Sequence, residues 1–494
     1  MASKSVLAVD LGAESGRVMA VQFNGRALHL TPLYRFPNQT VSLQGTLYWD
    51  VLDLWREIQA GIEKAKPLHP ASVGVDGWGV DFGLLDRQGH LIGNVVQYRD
   101  GRTQGMMELA FDHIGQELIY SQTGIQFARV NTLYQLLSMV QRQSPLLEIA
   151  HTFLTVPDLF HYWLSGTAVC EFTIASTTQL LNPRTQEWAA DIMAAAHIPS
   201  HIFPPVVPPG TQLGQYQGIP VITPASHDTG SAVAAVPAVA VPATHAHFAY
   251  ISSGTWSLVG LEVSQPIITE AALRANITNE GGVYGSIRLL KNVMGLWLAQ
   301  QCRDNWARAG RAYSYGELET LATAVPPLLS LINPDDPIFL PPGDHQAHIR
   351  HYCRQTNQPV PQSAGATMRC ILESLALAYR DALGKLTAVS GQQPQVIHIV
   401  GGGSRNALLN QMTANATGLP VIAGPVEASI IGNAIVQLIA LGELRDLAEA
   451  RQLLSEMPDL QRYEPRDTAV WSEAYDRYQK LLTHAPITNF STSI

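Results

Sequence analysis

The stretch near the start of the chain reads Val6-Leu7-Ala8-Val9-Asp10-Leu11-Gly12-Ala13-Glu14-Ser15-Gly16-Arg17-Val18-Met19-Ala20, an apolar strand, a polar turn and a second strand. Two glycines, Gly12 and Gly16, lie in the turn, where positive φ angles would let backbone N–H groups approach an anion closely. Asp10 lies where the first strand ends and could present a carboxylate to a metal ion. The stretch predicts a hairpin that binds a phosphate with its Mg²⁺; the alternative is an ordinary glycine-containing hairpin.

The bulk composition is that of a large globular protein. A chain of 494 residues is too long for one core, so two or more domains are expected. Hydrophobic residues make up 46% and charged residues only 14%, which excludes a disordered or fibrous chain. The net charge is −9 and no long basic run occurs, which argues against nucleic acid as the main partner.

The distribution of apolar residues and cysteines gives an expected compartment. No uninterrupted run reaches the roughly 18–20 apolar residues that span a bilayer, so no membrane partner is expected. The N-terminus does not resemble a signal peptide, and the 4 cysteines indicate a reducing compartment. We therefore expect a cytoplasmic protein. Cys353 and Cys370 flank a proline-containing loop and could meet in space, and whether they form a disulfide is left open.

Alternating strand and helix patterns follow the first hairpin. Apolar residues recur at helical spacing over 51–62, after Asp50 as a plausible N-cap. The apolar strand Ser72–Val75 comes next, followed by the loop Asp76-Gly77-Trp78-Gly79-Val80-Asp81. This alternation predicts an α/β architecture.

The strand–turn–strand pattern restarts near the middle of the chain, in Phe248–Gly260. The layout echoes the first hairpin without repeating its residues, and the proline-containing segment Pro237–Pro242 precedes it. We therefore predict an N-terminal domain over residues 1–243, a C-terminal domain over 244–480 and a tail over 481–494.

Two later segments carry further structural signals. Apolar residues of Met368–Leu386 fall on one face of a long helix and predict core packing. In Val396–Asn406, a buried strand runs into the three glycines of Gly401–Gly403 and then a helix. Three glycines at a strand–helix junction remove side chains where a ligand or another backbone comes close, which favours a nucleotide contact.

Asp228 is the candidate for acid–base chemistry. It follows the short strand Pro220–Thr223 and precedes the small residues that open a helix. Such a carboxylate is either a helix N-cap, a role that Thr229 could share, or a general base that accepts a proton from a substrate hydroxyl. The residue pattern alone leaves both roles open.

Blocks along nearly the whole chain resemble the FGGY carbohydrate kinases. The matching blocks are Val9–Arg17, Trp78–Phe82 with Tyr98–Asp100, Asn131–Leu136, Ser226–Val233, Ser252–Leu258, Asn276–Gly282, Lys291–Trp297, His398–Gly403 and Ala423–Ser429. The resemblance implies a two-domain actin/hexokinase-like (ribonuclease H-like) ATPase fold of the α/β class with an interdomain cleft. Within the family the chain most closely resembles the members that phosphorylate L-rhamnulose.

The resemblance also implies a role for individual residues. Asp228 takes the place of the catalytic base, and the implied sugar contacts are Gly79, His227, Asp228, Thr229 and Asn292. The implied ATP contacts are Ala13, Glu14, Ser15, Gly16, Arg17, Thr255, Gln300 and Gly402. Asp10 matches the carboxylate near Mg²⁺. The implied cofactors are ATP and Mg²⁺, and the implied partner is a small ketose, bound by a monomer or small homo-oligomer.

The implied reaction transfers a phosphoryl group from ATP to the 1-hydroxyl of L-rhamnulose. The methyl end of this 6-deoxy sugar requires an apolar wall, for which Trp78, Phe82 and Phe127 are candidates if they are not simply core residues. Two alternatives remain: a kinase for L-fuculose, L-xylulose or D-ribulose, and a non-catalytic sugar- or nucleotide-binding regulator. Glu14 departs from the pattern of several relatives, and its role is left open between solvent and a water-mediated Mg²⁺ contact.

Overall fold

A computed structural model describes residues 3–238 and 248–484. The described residues form two compact units that are not consecutive in sequence. Unit 1 comprises residues 3–238, 262–290 and 427–457, and unit 2 comprises residues 248–261, 291–426 and 458–484. The predicted domain boundary after residue 243 lies outside the described residues, as does most of the predicted tail, so the predicted domain limits stay predictions.

The strands, in chain order, are β1 (Lys4–Leu11), β2 (Ser15–Phe23), β3 (Leu28–Pro37), β4 (Thr40–Leu43), β5 (Thr46–Trp49), β6 (Val73–Gly77), β7 (Phe82–Leu85), β8 (Thr152–Thr155), β9 (Cys170–Glu171), β10 (Leu181–Asn182), β11 (Glu187–Trp188), β12 (Val206–Val207), β13 (Gln212–Tyr216), β14 (Ile219–Ile222), β15 (Phe248–Ser253), β16 (Trp256–Val263), β17 (Thr278–Gly281), β18 (Ile287–Met294), β19 (Val396–Val400), β20 (Val421–Ala423) and β21 (Gln461–Tyr463).

The α-helices are α1 (Val51–Ala65), α2 (Met106–His113), α3 (Gln116–Thr123), α4 (Thr132–Gln141), α5 (Pro145–Ile149), α6 (Val156–Ser165), α7 (Phe172–Ala175), α8 (Ala190–Ala195), α9 (Asp228–Ala234), α10 (Glu270–Arg274), α11 (Trp297–Arg308), α12 (Tyr315–Thr323), α13 (His345–Gln355), α14 (Ala364–Ser390), α15 (Ala407–Thr417), α16 (Ala428–Ala440), α17 (Leu447–Ser455) and α18 (Thr468–Leu482). Each described helix is too short or too polar to cross a bilayer.

The main sheet of unit 1 has the strand order β13-β14-β6-β1-β2-β3. β1 pairs antiparallel with β2 through the predicted turn and parallel with β6. Residues Ser5–Leu11 are all buried, because β1 is an interior strand and helices pack on the sheet. α1 begins after Asp50, whose side chain accepts a hydrogen bond from the N–H of Asp53, as the N-cap prediction requires.

In unit 2, β16, β15, β19, β20 and β21 lie side by side in that order. β15 pairs antiparallel with β16 and parallel with β19, the same pairing pattern that β1 makes with β2 and β6. The predicted repeat of the opening motif is therefore confirmed at the level of strand pairing. The predicted long helix is α14, and its apolar face is buried.

The thiols are all reduced in this structure. Each of the four cysteines is free and buried. Cys353 and Cys370 do meet, because a side-chain hydrogen bond joins them, and together with burial it raises the pKa of Cys370 well above its usual range. The two cysteines are therefore close in space, as the sequence allowed, but they do not form a disulfide in this structure.

Candidate active site

Two carboxylates lie side by side where the central strands of unit 1 end. Asp10 of β1 is paired in register with Asp76 of β6, and both side chains are buried. The Asn433 amide donates to Oδ2 of Asp76 at 2.6 Å, whereas Oδ1 has no hydrogen-bond partner among the described residues. Burial raises the pKa of Asp76 well above its ordinary value, and the negative charges of Asp10 and Asp228 raise it further.

Arg17 holds Asp10 from the neighbouring strand. Its Nε and Nη2 donate to Oδ2 of Asp10 at 2.9 and 2.5 Å, and the Ser429 hydroxyl donates to the same oxygen at 2.7 Å. Nη1 forms an ion pair with Glu427, which precedes α16. Burial opposes the charge on Arg17, but Asp10 and Glu427 outweigh it and raise the pKa of the guanidinium. The arginine therefore connects the β1–β2 hairpin to the start of α16.

Asp228 is the first residue of α9, and His227 occupies the N-cap position without a side-chain cap bond. Oδ1 of Asp228 accepts the backbone N–H of Thr229 at 2.5 Å and its hydroxyl at 3.2 Å. About a third of the side chain, 32%, is exposed. Loss of hydration raises the pKa of Asp228, as does the charge of Asp10, while His227 lowers it. Of the two roles predicted for Asp228, the N-cap position is taken by His227, while the general-base role stays a prediction.

His227 contacts Asp228 on one side and a buried ion pair on the other. Its Nε2 is 3.5 Å from Oδ1 of Asp228. Its Nδ1 is 3.0 Å from Nη2 of Arg288 and 3.3 Å from Oε2 of Glu280. Glu280 and Arg288 face each other across the β17–β18 pair, 3.2 Å apart, and Arg288 is fully buried. The sequence analysis assigned no role to either residue.

Glu171 holds the backbone at His227 through hydrogen bonds with Ser226 and Thr173. Oε2 of this buried carboxylate accepts the N–H of Ser226 at 2.9 Å and the hydroxyl of Thr173 at 2.5 Å. The same hydroxyl oxygen accepts the N–H of His227 at 3.1 Å. Burial raises the pKa of Glu171 to about 7 even though these donors lower it.

The comparisons with known proteins identify the family. The family model for the N-terminal domain of the FGGY family of carbohydrate kinases matches residues 5–233. The model for the C-terminal domain of the same family matches residues 249–441. The chain belongs to the FGGY family of carbohydrate kinases.

Curated relatives and solved structures agree with this membership. A rhamnulokinase of Bacteroides thetaiotaomicron is 45% identical over 96% of this chain and 99% of its own length. One of Pectobacterium atrosepticum is 44% identical over 97% of each chain. A xylulose kinase of Lactobacillus acidophilus matches with a TM-score of 0.78 and 17% identity over 97% of each chain. Plasmodium falciparum glycerol kinase with ADP matches with a TM-score of 0.76 and 13% identity, covering 98% of this chain and 99% of its own. The α/β fold predicted from the sequence, of the actin/hexokinase-like type, is therefore confirmed.

The predicted hairpin of β1 and β2 is present, but its glycines act differently from the prediction. Neither Gly12 nor Gly16 has a positive φ, so that part of the prediction is wrong. A β-carbon on Gly16 would lie 2.3 Å from the Phe36 ring, and one on Gly12 would lie 3.1 Å from the carbonyl oxygen of Ser15. Close packing explains these glycines. Ala13 and Ser15 are partly exposed at the tip and Glu14 is exposed.

The three glycines after β19 also have separate roles. Gly401 has a φ of 83°, and a β-carbon on Gly403 would lie 2.0 Å from the Ser253 hydroxyl and 3.0 Å from its carbonyl oxygen. A β-carbon on Gly402 would meet nothing within 4 Å. Of the predicted nucleotide contacts in this turn, only Gly402 faces open space. Gly401 is required by its positive φ, and Gly403 by its close packing against Ser253.

The remaining predicted site residues divide between the units. Asp10, the loop 13–17, Gly79 and residues 227–229 belong to unit 1, whereas Thr255, Asn292, Gln300 and Gly402 belong to unit 2. In unit 1, Gly77, two residues before Gly79, forms a parallel β-bridge with His227, the neighbour of Asp228. In unit 2, Thr255 is partly exposed in the turn between β15 and β16. Oε1 of Gln300, on α11, is buried with no hydrogen-bond partner among the described residues, so it retains acceptor capacity.

The three aromatic residues predicted for an apolar wall differ in burial. Trp78 is buried, and its indole N–H donates to the Asp81 carboxylate at 3.0 Å. Burial raises the pKa of Asp81 to about 6. Phe82 is buried against Phe153, with ring centroids 4.9 Å apart. Phe127 is only partly buried. Of the three candidates, Trp78 is the one adjacent in sequence to a predicted sugar contact, Gly79.

Proposed function

We propose that this chain transfers the γ-phosphoryl group of ATP to the 1-hydroxyl of L-rhamnulose in the breakdown of L-rhamnose. The observation that carries the proposal is the 42–45% identity to rhamnulokinases over almost the whole chain. The site in unit 1 agrees, because it combines the partly exposed carboxylate of Asp228 with a hairpin that carries Asp10 and Arg17. The free thiols suit the reducing cytoplasm, and the proposed active form is a monomer or small homo-oligomer.

Asp228 is the proposed general base. As the sugar O1 attacks the γ-phosphorus, the new O–P bond forms and the bond from phosphorus to the bridging oxygen of ADP breaks. The hydroxyl proton passes to Asp228. A placed base is typically worth about 10²–10⁴-fold in rate, while the larger share in phosphoryl transfer comes from positioning and charge neutralisation.

Asp10 is the residue proposed to face Mg²⁺. In the parts of the chain that the structure describes, no group of three or more His, Cys, Asp or Glu side chains is placed to hold a metal by itself. The oxygens of Asp10 and the unpartnered Oδ1 of Asp76 nevertheless suit a hard cation that arrives with the nucleotide, since Mg²⁺ keeps several waters and takes one or two carboxylates plus phosphates. Bound there, Mg²⁺ would neutralise charge on the phosphates.

The nucleotide contacts are proposed on both units. Backbone N–H groups of the loop 13–16 and the Arg17 guanidinium are proposed for the phosphates. Thr255, Gln300 and Gly402 supply a second set. The open space at Gly402 and the unused acceptor of Gln300 support this assignment. Sugar contacts are proposed for Gly79, His227, Thr229 and Asn292.

A ketose panel tests the proposed substrate. The purified chain with ATP and Mg²⁺ is assayed for ADP release with L-rhamnulose, L-fuculose, L-xylulose and D-ribulose, and ³¹P–¹H NMR locates the phosphate on the product. We expect the highest kcat/KM for L-rhamnulose and a phosphate on O1. A higher kcat/KM for any other ketose refutes the substrate, and no turnover with any sugar, despite ATP binding, favours the non-catalytic alternative.

A further inference from the structure

The buried Glu280–Arg288 pair reaches His227 on the side away from Asp228. Arg288 is 0% exposed, so its charge requires compensation within the protein. Glu280 provides it at 3.2 Å, and Nε of Arg288 donates to the Gly281 carbonyl at 2.8 Å. The remaining close contact of Nη2 is Nδ1 of His227, at 3.0 Å.

The donor chemistry of arginine fixes the proton on the imidazole. A guanidinium nitrogen carries only donors and is never deprotonated in proteins. Nδ1 of His227 must therefore accept at the 3.0 Å contact and carries no proton. Glu280, 3.3 Å from the same nitrogen, would favour a proton there, but its charge is already paired with Arg288. The contact of Nη2 with Glu280 is an ion pair, which leaves a hydrogen of Nη2 for Nδ1 of His227.

The ring proton is thereby placed on the nitrogen nearer Asp228. With Nδ1 acting as acceptor, the neutral ring is protonated at Nε2, which lies 3.5 Å from Oδ1 of Asp228. Among the described residues, the close contacts of Asp228 all involve Oδ1, from His227 and from the backbone and hydroxyl of Thr229. Oδ2 is then the oxygen left to accept a proton from a substrate.

We infer that Arg288, paired with Glu280, is a positioning residue that holds His227 in the Nε2-protonated form and so orients the Asp228 carboxylate toward its substrate. The inference rests on the proposed role of Asp228 as base. Arg288 touches neither reacting group and acts only through the histidine. Misplacement of a catalytic group by such a loss costs roughly tenfold to a hundredfold in rate.

The tautomer is measured first, on the unaltered protein. Two-bond ¹H–¹⁵N correlation spectra of the chain labelled with [¹⁵N]histidine distinguish the two neutral tautomers, and the His227 signals are those lost in His227→Gln. We expect the pattern of a ring protonated at Nε2 alone. A ring protonated at Nδ1, or at both nitrogens, overturns the inference regardless of activity.

The double variant Arg288→Met/Glu280→Gln then removes the pair without leaving a lone buried charge. We expect His227 to lose its single tautomer and kcat to fall roughly tenfold to a hundredfold, with the KM for ATP unchanged. Arg288→Lys, which keeps an obligate donor, should retain the tautomer and recover most of kcat. A folded double variant with wild-type kcat overturns the inference.

A second buried pair provides the matched control. Arg369 and Glu373 pair at 2.7 Å within α14, and Glu373 is almost fully buried. Arg369→Met/Glu373→Gln should lower the melting temperature without changing the His227 spectrum or kcat. Asp228→Asn separates the two proposals: full activity in that variant refutes the base, whereas the tautomer and its dependence on Arg288 are read from the spectra alone.

Discussion

Gly432 lies directly over the backbone of Ser231, where α16 crosses α9. A β-carbon built on Gly432 would lie 1.7 Å from the carbonyl oxygen of Ser231. The first residue of α9 is Asp228, and α16 also carries Asn433, which donates to Asp76. The contact therefore fixes the helix that presents the proposed base against the helix that supports the buried carboxylates.

Gly432→Ala should be strongly destabilising, because the methyl group meets backbone rather than a movable side chain. We expect a loss of about 3 kcal/mol or more in the free energy of unfolding, measured by urea denaturation, and a fall in kcat as α9 shifts. Gly384 is the control, since a β-carbon there in the middle of α14 meets nothing within 4 Å. Gly384→Ala should be stabilising by about 0.5–1 kcal/mol. Equal effects of the two substitutions would refute the packing argument.

Asp228→Asn should abolish most turnover while the nucleotide still binds. The amide keeps the size of the side chain but cannot accept the hydroxyl proton, so kcat should fall by about 10²–10⁴-fold. Isothermal titration with a non-hydrolysable ATP analogue should give a dissociation constant close to that of the wild type. Asp191→Asn, in the first turn of α8 and exposed, is the control and should remain fully active. Full activity of Asp228→Asn would show that another group is the base.

Gly402→Ala and Gly403→Ala should separate ligand binding from packing. The Gly403 substitution places a methyl group against Ser253, so we expect a loss of about 1–3 kcal/mol in the free energy of unfolding. The Gly402 substitution meets open space and should leave stability within about 0.5 kcal/mol, but it should raise the KM for ATP if this backbone approaches the nucleotide. An unchanged KM for Gly402→Ala would remove Gly402 from the proposed ATP site.

Local sequence pattern predicts the elements of this fold but not the contacts that join them. The opening hairpin, its echo at Phe248–Gly260 and the helix that starts at Asp228 all follow from short-range periodicity and turn residues. The register of Asp10 against Asp76 does not, because the two residues meet only through the parallel pairing of strands more than sixty positions apart. Pattern shows where a strand ends but not which strand lies beside it.

The partners of His227 were beyond sequence reasoning for the same reason. Glu280 and Arg288 lie on a hairpin more than fifty residues downstream, and nothing local ties that hairpin to α9. One signal was present: a lone arginine in the apolar run Ile287–Leu290 demands a buried counter-charge. The reason for a glycine at position 16 is likewise non-local, because only the folded packing of Phe36 shows why a side chain is excluded there.

The buried Glu171 should give the protein an unusual dependence of stability on pH. Its pKa is raised to about 7 by burial, against an ordinary value of 4.5, so the folded state binds more protons than the unfolded state between these values. The free energy of unfolding should therefore fall as pH rises from about 4.5 to about 7, by at most about 1.4 kcal/mol per pH unit from this group.

Glu171→Gln removes this titration while keeping the shape of the side chain. Its overall stability will be lower, because an amide cannot accept all the bonds from Thr173 and Ser226. The informative quantity is the difference between wild type and variant, measured by urea denaturation at half-unit steps from pH 4.5 to 8. We expect the wild type's advantage to be largest at low pH, to shrink as pH rises and to become constant above about pH 7. A difference that is constant over the whole range would show that Glu171 ionises near its ordinary value and that its hydrogen-bond donors, rather than its burial, dominate.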